Sequence, residues 1–185
     1  ILNNVHLVVE ADGIARLSAT DLEISIRYRL PLSQCEGSGQ ALLPSGRTLS
    51  IIRESNADQI TFTCEEKGKI SIKAGHGVFD IVSGDPAEFP PIPEFKATNA
   101  IGIERDKFLR LIRKTQFAVA KEKSRFGFNG AMFHITNGEA RMVATDGKRL
   151  VMAWDTIGSA ESAPTRPIIP LRALSAFDKL MSLDA

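Results

Sequence analysis

Apolar and polar residues alternate through most of this chain, and three stretches break that rhythm with the spacing of a helix. Leu2 to Glu10 alternates loosely, Asp12-Gly13 supplies a two-residue turn favouring positive φ, and Ile14 to Ala19 alternates again, which predicts a hairpin. Ala131 to Thr136, Asn137-Gly138 and Ala140 to Ala144 predict another of the same kind. Leu22 to Leu32 has strand composition, Gln34 to Gln40 reads as a loop, and Pro44-Ser45 opens a short helix with Leu49 and Ile52 on one face. On that helix Arg47, Arg53 and Glu54 point elsewhere. Ile60 to Cys64 and Ile70 to Lys73 alternate around Glu65-Glu66-Lys67-Gly68-Lys69 as a third hairpin, and Val78 to Val82 is a further strand. Ser83 to Pro93 holds four prolines, which bars a helix or a central strand. Arg105 to Val119 is the clearest helix. At 100° per residue Phe108, Leu111, Ile112, Thr115 and Val119 share one arc, and Lys107, Arg110, Arg113 and Lys114 lie opposite. A polar loop at Lys121 to Ser124, a strand at Leu150 to Trp154 and a surface loop at Gly158 to Thr165 follow. The last helix, Arg172 to Leu183, sets Leu174, Phe177, Leu180 and Met181 against Arg172 and Lys179.

The pattern is duplicated. Ala140-Arg141-Met142-Val143-Ala144-Thr145-Asp146 repeats Ala15-Arg16-Leu17-Ser18-Ala19-Thr20-Asp21 with five identities in seven, 125 positions apart. At that offset Gly13 falls on Gly138, Asp12 on Asn137, Asn4 on Asn129 and Leu49-Ser50 on Leu174-Ser175, with Pro44 and Pro170 one step out of register. A period this long is a duplicated domain rather than a solenoid repeat. The expected division is a first domain over residues 1–98 and a second over 99–185. The first lacks a counterpart of the basic helix at 105–119, and the second lacks closing strands, so the sequence reads as part of a longer chain.

Length and 43% hydrophobic content suit folded domains. The absence of a long apolar run or a basic-then-apolar opening argues against a membrane and for the cytoplasm. Cys35 and Cys64 form no C-x-x-C spacing and are expected to be reduced, buried and structural. The net charge of +1 conceals an asymmetry: nine basic and thirteen acidic residues up to position 98, fourteen and nine after it.

Asp21 and Asp146, each after a Thr, are candidates for paired catalytic carboxylates, but the same residues at a strand end commonly hydrogen-bond the local backbone in Asx and ST turns. His6, His76 and His134 occupy no matching or metal-ligand positions, no phosphate-cradling or nucleophile-elbow pattern occurs, and Gly75-His76-Gly77 reads as a turn. Nothing calls for a metal or another cofactor. The stronger lead is the basic helix. Only Asp106 interrupts its charged face, and the last helix adds Arg172 and Lys179; apolar backs with basic fronts suit contact with phosphates without reading sequence.

Ala-Thr-Asp-Gly-Lys-Arg-Leu at 144–150, Arg125 with Asn129-Gly130, Thr115-Gln116-Phe117, and Arg166-Pro167-Ile168-Ile169-Pro170 together resemble the bacterial DNA polymerase III β subunit, the sliding-clamp family. Ala-Thr-Asp-Leu-Glu-Ile at 19–24 and Glu88-Phe89-Pro90 are similar to its first domain. The resemblance implies an α+β clamp fold, in which repeated domains each set two helices against antiparallel sheets. It implies a non-catalytic homodimeric ring around double-stranded DNA that holds the DNA polymerase III catalytic subunit and is served by a clamp loader and other proteins with a clamp-binding motif. It assigns Lys107, Arg110, Arg113, Lys114, Lys121, Arg125, Arg172 and Lys179 to DNA. A docking pocket then comprises Phe128, Thr145, Gly147, Lys148, Arg149 and Leu150. Leu22 stands where the second copy has Gly147, so the first copy should lack that pocket. Lys148 replaces the family's usual His or Arg, and Phe126-Gly127 its frequent Tyr-Tyr. The rival readings are a hydrolase built on Asp21 and Asp146, and a scaffold of the same fold that ignores DNA.

Overall fold

The computed structural model describes residues 2–65, 68–94, 100–121, 129–158 and 166–183. They divide into two compact units, Ile1–Glu94 and Phe95–Ala185, both α+β with antiparallel sheets. In the first unit β1 (Asn4–Val9), β2 (Ile14–Thr20), β3 (Ser25–Pro31) and β4 (Gly39–Pro44) form a sheet in the order β3-β2-β1-β4. Helix α1 (Ser45–Glu54) follows, then a second sheet of β5 (Ile60–Cys64), β6 (Lys69–Ala74) and β7 (Gly77–Val82). One face of each sheet supplies the core: Leu7, Ala15, Ala41 and Leu43 from the first, Ile70, Ile72 and Ile81 from the second. Alternation produces this directly, since every second strand residue points the same way. Gly75-His76 is the two-residue link between β6 and β7, with Gly75 at φ 60°.

The second unit opens with α2 (Arg105–Thr115) and a 3₁₀ turn, Gln116–Ala118. Then β8 (Gly130–Thr136), β9 (Glu139–Thr145), β10 (Leu150–Thr156) and β11 (Ile168–Pro170) form a sheet in the order β10-β9-β8-β11, and α3 (Leu171–Leu183) closes the chain. The order is that of the first sheet. Helix α2 packs on β9 and β10, burying Leu111, Ile112 and Thr115 with Ala140, Met142, Ala144 and Ala153. Leu109, off the predicted arc, is buried as well. Phe108 bridges the helices and the sheet, its ring edge-on to Phe133 at 5.6 Å and to Phe177 at 5.8 Å.

The structure corrects the repeat register. In the second unit Asn137 (φ 49°) and Gly138 (φ 75°) make a two-residue turn between Thr136 and Glu139, as the Asn-Gly pair requires. In the first, Val9 pairs with Ala15, and only Gly13 takes positive φ in a longer loop where its N–H donates to Glu10 O. Asp12-Gly13 is therefore not a two-residue turn. The extra loop length displaces the preceding strand by one, so Asn3 rather than Asn4 matches Asn129: their carbonyls accept from the N–H of Ser45 and Leu171, each at 3.0 Å. The same one-step shift carries into α1. Thr48, 8% exposed, holds the place of the fully buried Leu174, while Leu49 and Ile52 are exposed, contrary to the face predicted for them. Ile51 is the α1 residue packed on the core.

Three further expectations change. Leu22 lies in a turn ahead of β3 and not within a strand. Strand β4 takes Gly39 and Gln40 from the expected loop and Pro44 from the expected helix opening, with Ala41, Leu42 and Leu43 buried between them. Cys35 is half-buried and Cys64 exposed; both are free, as expected, but neither is a core residue. On β3, Ile26, Tyr28 and Leu30 are exposed on the core side of their sheet, opposite Ala19, Leu17 and Ala15. Their second-unit counterparts, Val151, Ala153 and Asp155, lie on the strand that α2 packs against.

Candidate DNA-facing helices and docking loop

The Thr-Asp segments form one loop built twice. Thr20 Oγ accepts from the N–H of Leu22 at 3.0 Å and donates to Ile24 O at 3.0 Å, and Asp21 Oδ1 accepts from the N–H of Glu23 and Ile24 at 3.1 and 2.8 Å. Thr145 repeats this with Gly147 N–H at 3.1 Å and Arg149 O at 2.6 Å, and Asp146 Oδ1 with the N–H of Lys148 and Arg149, both at 3.0 Å. Both carboxylates thus hold their own turns, as Asx and ST geometry allows. Backbone N–H donation from Lys148 and Arg149, then the Arg149 side chain, holds Asp146 below the usual carboxylate range. Those hydrogen bonds give Asp146 the structural role of an Asx-turn acceptor.

The loops share Thr-Asp and then diverge, and the first difference, Leu22 against Gly147, falls where the backbone turns. Gly147 has φ 86° and Leu22 has φ 73°, so the backbone enters the left-handed region in both copies, although only glycine does so without steric cost. Leu22 is 72% exposed and fills no hole, and a Cβ on Gly147 would meet nothing within 4 Å. The turn is set by the Thr and Asp hydrogen bonds, which override the side chain's preference. Leu22→Gly is therefore expected to stabilise the first unit by up to about 1 kcal/mol, the left-handed penalty less the entropy of glycine, in urea denaturation. A loss of stability would show that Leu22 makes a contact worth more than the strain.

Around the second loop Leu150 is 68% exposed. Arg149 is restrained: its Nε donates to Asp146 Oδ2 at 2.9 Å, a terminal nitrogen donates to Phe117 O at 3.4 Å, and its guanidinium lies 5.7 Å from the Phe117 ring centroid. That ties the loop to the turn ending α2. Thr145, Gly147, Lys148, Arg149 and Leu150 are brought together as expected for consecutive residues. Phe128 lies outside the described residues.

The basic face is less uniform than its sequence. Lys107 pairs with Glu104 at 2.6 Å, Arg110 with Asp155, and Arg113 Nε with Asp178 at 2.7 Å while another of its nitrogens donates to Ser182 Oγ at 2.9 Å. The expectation of a nearly single-signed face is thus corrected, because the fold brings carboxylates from β10 and α3 onto it. Asp155 is held below its ordinary range chiefly by Arg110. These pairs sit at the surface, where each contributes roughly 0–1 kcal/mol, so a phosphate can displace the carboxylate at small cost. Lys114, Lys121, Arg172 and Lys179 are exposed. Arg105, absent from the predicted set, donates to Met181 O and joins α2 to α3. Arg125 lies outside the described residues. Among the described residues no group of three metal-ligating side chains forms, and no helix is long and apolar enough to cross a membrane.

Residues 1–93 match the DNA polymerase III beta subunit, N-terminal domain, and residues 102–185 match its central domain. The chain belongs to the DNA polymerase III beta subunit family. It is 32% identical over 182 residues to the beta sliding clamp of Pseudomonas aeruginosa, covering 98% of this chain and 49% of that one. Over 181 residues it is 29% identical to the Vibrio cholerae beta sliding clamp, again 98% and 49%. Among solved structures, the DNA polymerase III subunit beta from Pseudomonas aeruginosa superposes with a TM-score of 0.89 at 30% identity, over 98% of this chain and 50% of that chain. The Bartonella birtlesii sliding clamp, solved with griselimycin bound, gives 0.89 at 28% identity, over 99% and 50%. The chain spans about half the length of the beta-subunit relatives it matches.

Proposed function

We propose that this chain is the first domain and part of the second of a processivity clamp: a homodimeric ring that encircles double-stranded DNA without sequence preference. It tethers the DNA polymerase III catalytic subunit and other clamp-binding proteins in the cytoplasm, and a clamp loader places it on DNA. The observation that carries this reading is the succession of two beta-subunit domains, N-terminal then central, along one duplicated chain. Residues 1–98 belong to the first clamp domain and 99–185 to the second, with the third domain outside this sequence. The ring performs no chemistry and needs no cofactor; its task is topological.

The DNA surface is assigned to Lys107, Arg110, Arg113, Lys114, Lys121, Arg125, Arg172 and Lys179. In the natural-length protein each phosphate contact contributes about 0.9 to the slope of log affinity against log salt concentration. Reversing Arg110 and Arg113 together is expected to lower that slope by about 1.8, measured by salt-dependent retention on circular DNA. An unchanged slope would return α2 to a solvated face, and no retention on DNA at any salt concentration would favour the DNA-independent scaffold. The docking surface is assigned to Thr145, Gly147, Lys148, Arg149 and Leu150 with Phe128, for a short peptide of the pattern Gln, small, Leu, Phe.

A further inference from the structure

Two arginines on the exposed side of α2 are each held by a carboxylate from a neighbouring element. Arg110 pairs with Asp155 of β10, and Arg113 Nε donates to Asp178 Oδ1 of α3 at 2.7 Å. The acceptors are themselves oriented. Asp155 Oδ1 accepts from Thr156 N–H at 3.0 Å, which leaves Oδ2 to Arg110. Ser182 Oγ donates to Asp178 O at 2.6 Å and so presents a lone pair to a terminal nitrogen of Arg113, 2.9 Å away. The arginine side chains are 52% and 54% exposed, those of Asp155 and Asp178 only 17% and 27%. The acids are therefore the fixed partners, and the guanidiniums are the groups able to swing out.

The lysines of the same helices are not held in this way. Lys114 on α2 and Lys179 on α3 are exposed and, among the described residues, have no carboxylate partner. The division follows phosphate chemistry. A guanidinium offers phosphate a planar fork and a bidentate grip, while an ammonium is a hydrated point charge. The groups withheld are those that would grip hardest, and the groups left open attract DNA without fixing it in place. Lys107 also favours the ionised form of Asp155, so that carboxylate keeps a cation nearby when Arg110 leaves it.

We propose that Asp155 and Asp178 are built-in competitors for phosphate, which keep Arg110 and Arg113 from gripping DNA and so let the ring move along it. This rests on the assignment of α2 and α3 to the DNA surface. An exposed ion pair holds its arginine closed about one to five times as often as it leaves it open. Only the open fraction meets phosphate, so each latch weakens that contact about two- to sixfold. The two latches share no partner, and their effects multiply to about four- to fortyfold.

Binding of the natural-length protein to duplex DNA at low salt, followed by fluorescence anisotropy, provides the test. Asp155→Asn and Asp178→Asn should each tighten binding about two- to sixfold, and the double variant about four- to fortyfold. Asp178→Glu keeps the charge and should stay near the unsubstituted protein. Removing any acid near DNA also tightens binding through the general field, so the decisive background is Arg110→Gln with Arg113→Gln. There the aspartate variants should gain much less, because no arginine remains to be released; equal gains in the two backgrounds overturn the proposal. So does a loss of urea stability with unchanged DNA binding, the mark of a purely structural tie. In unsubstituted protein carrying isotope-labelled arginine, the Arg113 Nε–H signal should shift as duplex DNA is added. A signal that stays put while DNA binds overturns the proposal without any variant. Absence of DNA binding at every salt concentration removes the DNA assignment along with it, whereas binding with no gain from the aspartate variants removes the latches alone.

Discussion

Replacing Ile112 with Ala is expected to destabilise the second unit by about 2–5 kcal/mol, the largest stability effect of any single substitution considered. Ile112 is fully buried where α2 meets β9 and β10, among Met142, Ala144 and Ala153. The neighbouring alanines have no side-chain atoms with which to fill the space left, so the lost transfer energy adds to a cavity that cannot collapse. Leu49→Ala in α1 is the matched control. Both residues read as the apolar stripe of an amphipathic helix, but Leu49 is 46% exposed, and its removal should change stability by no more than about 0.5 kcal/mol. Urea denaturation of the two variants decides the matter. Equal losses would mean that the exposed face of α1 is covered in solution.

Those two residues also show what was legible in the sequence. Period-two alternation located the hairpins because one face of each strand is buried, and the basic helix stood out because its apolar arc packs on a sheet in this same chain. The stripe on α1 misled, since sequence spacing says which residues share a face but not whether anything lies against it. The one-residue register error had a similar origin: two Asx-Gly pairs suggest the same turn, yet the extra loop length in the first copy is invisible to a gapless match. The side-chain hydrogen bonds of Asp21 and Asp146 were legible, because Thr and Asp side chains act within four residues of themselves, but the extent of the first turn was not, since Leu22 reads as strand and lies in it at φ 73°. The carboxylates of Asp155 and Asp178 were not. They reach Arg110 and Arg113 from 45 and 65 positions away, and only tertiary packing makes them neighbours.

Gly147→Leu is expected to weaken peptide docking about tenfold to hundredfold in the natural-length protein while leaving the second unit folded. The first copy supplies the argument, because Leu22 already adopts φ 73° in the same hydrogen-bonded turn. The backbone of the second loop should therefore accept Leu at a cost of about 1–2 kcal/mol, well short of unfolding. The functional cost is larger. A Cβ at Gly147 would meet nothing within 4 Å, so a leucine there extends into the open space that the proposed docking surface leaves for the peptide's Leu or Phe. Loss of that anchor removes roughly 1.5–3 kcal/mol, about a tenfold to hundredfold weakening. Titrating a Gln-small-Leu-Phe peptide into isotope-labelled protein separates the outcomes, with Gly147→Ala expected to fall between glycine and leucine. Unweakened binding by the leucine variant would show that the anchor lies elsewhere. Shifts clustered at Thr20 to Ile26 would move the site to the first copy, where an exposed leucine would then have to be part of the docking surface and not an obstacle to it.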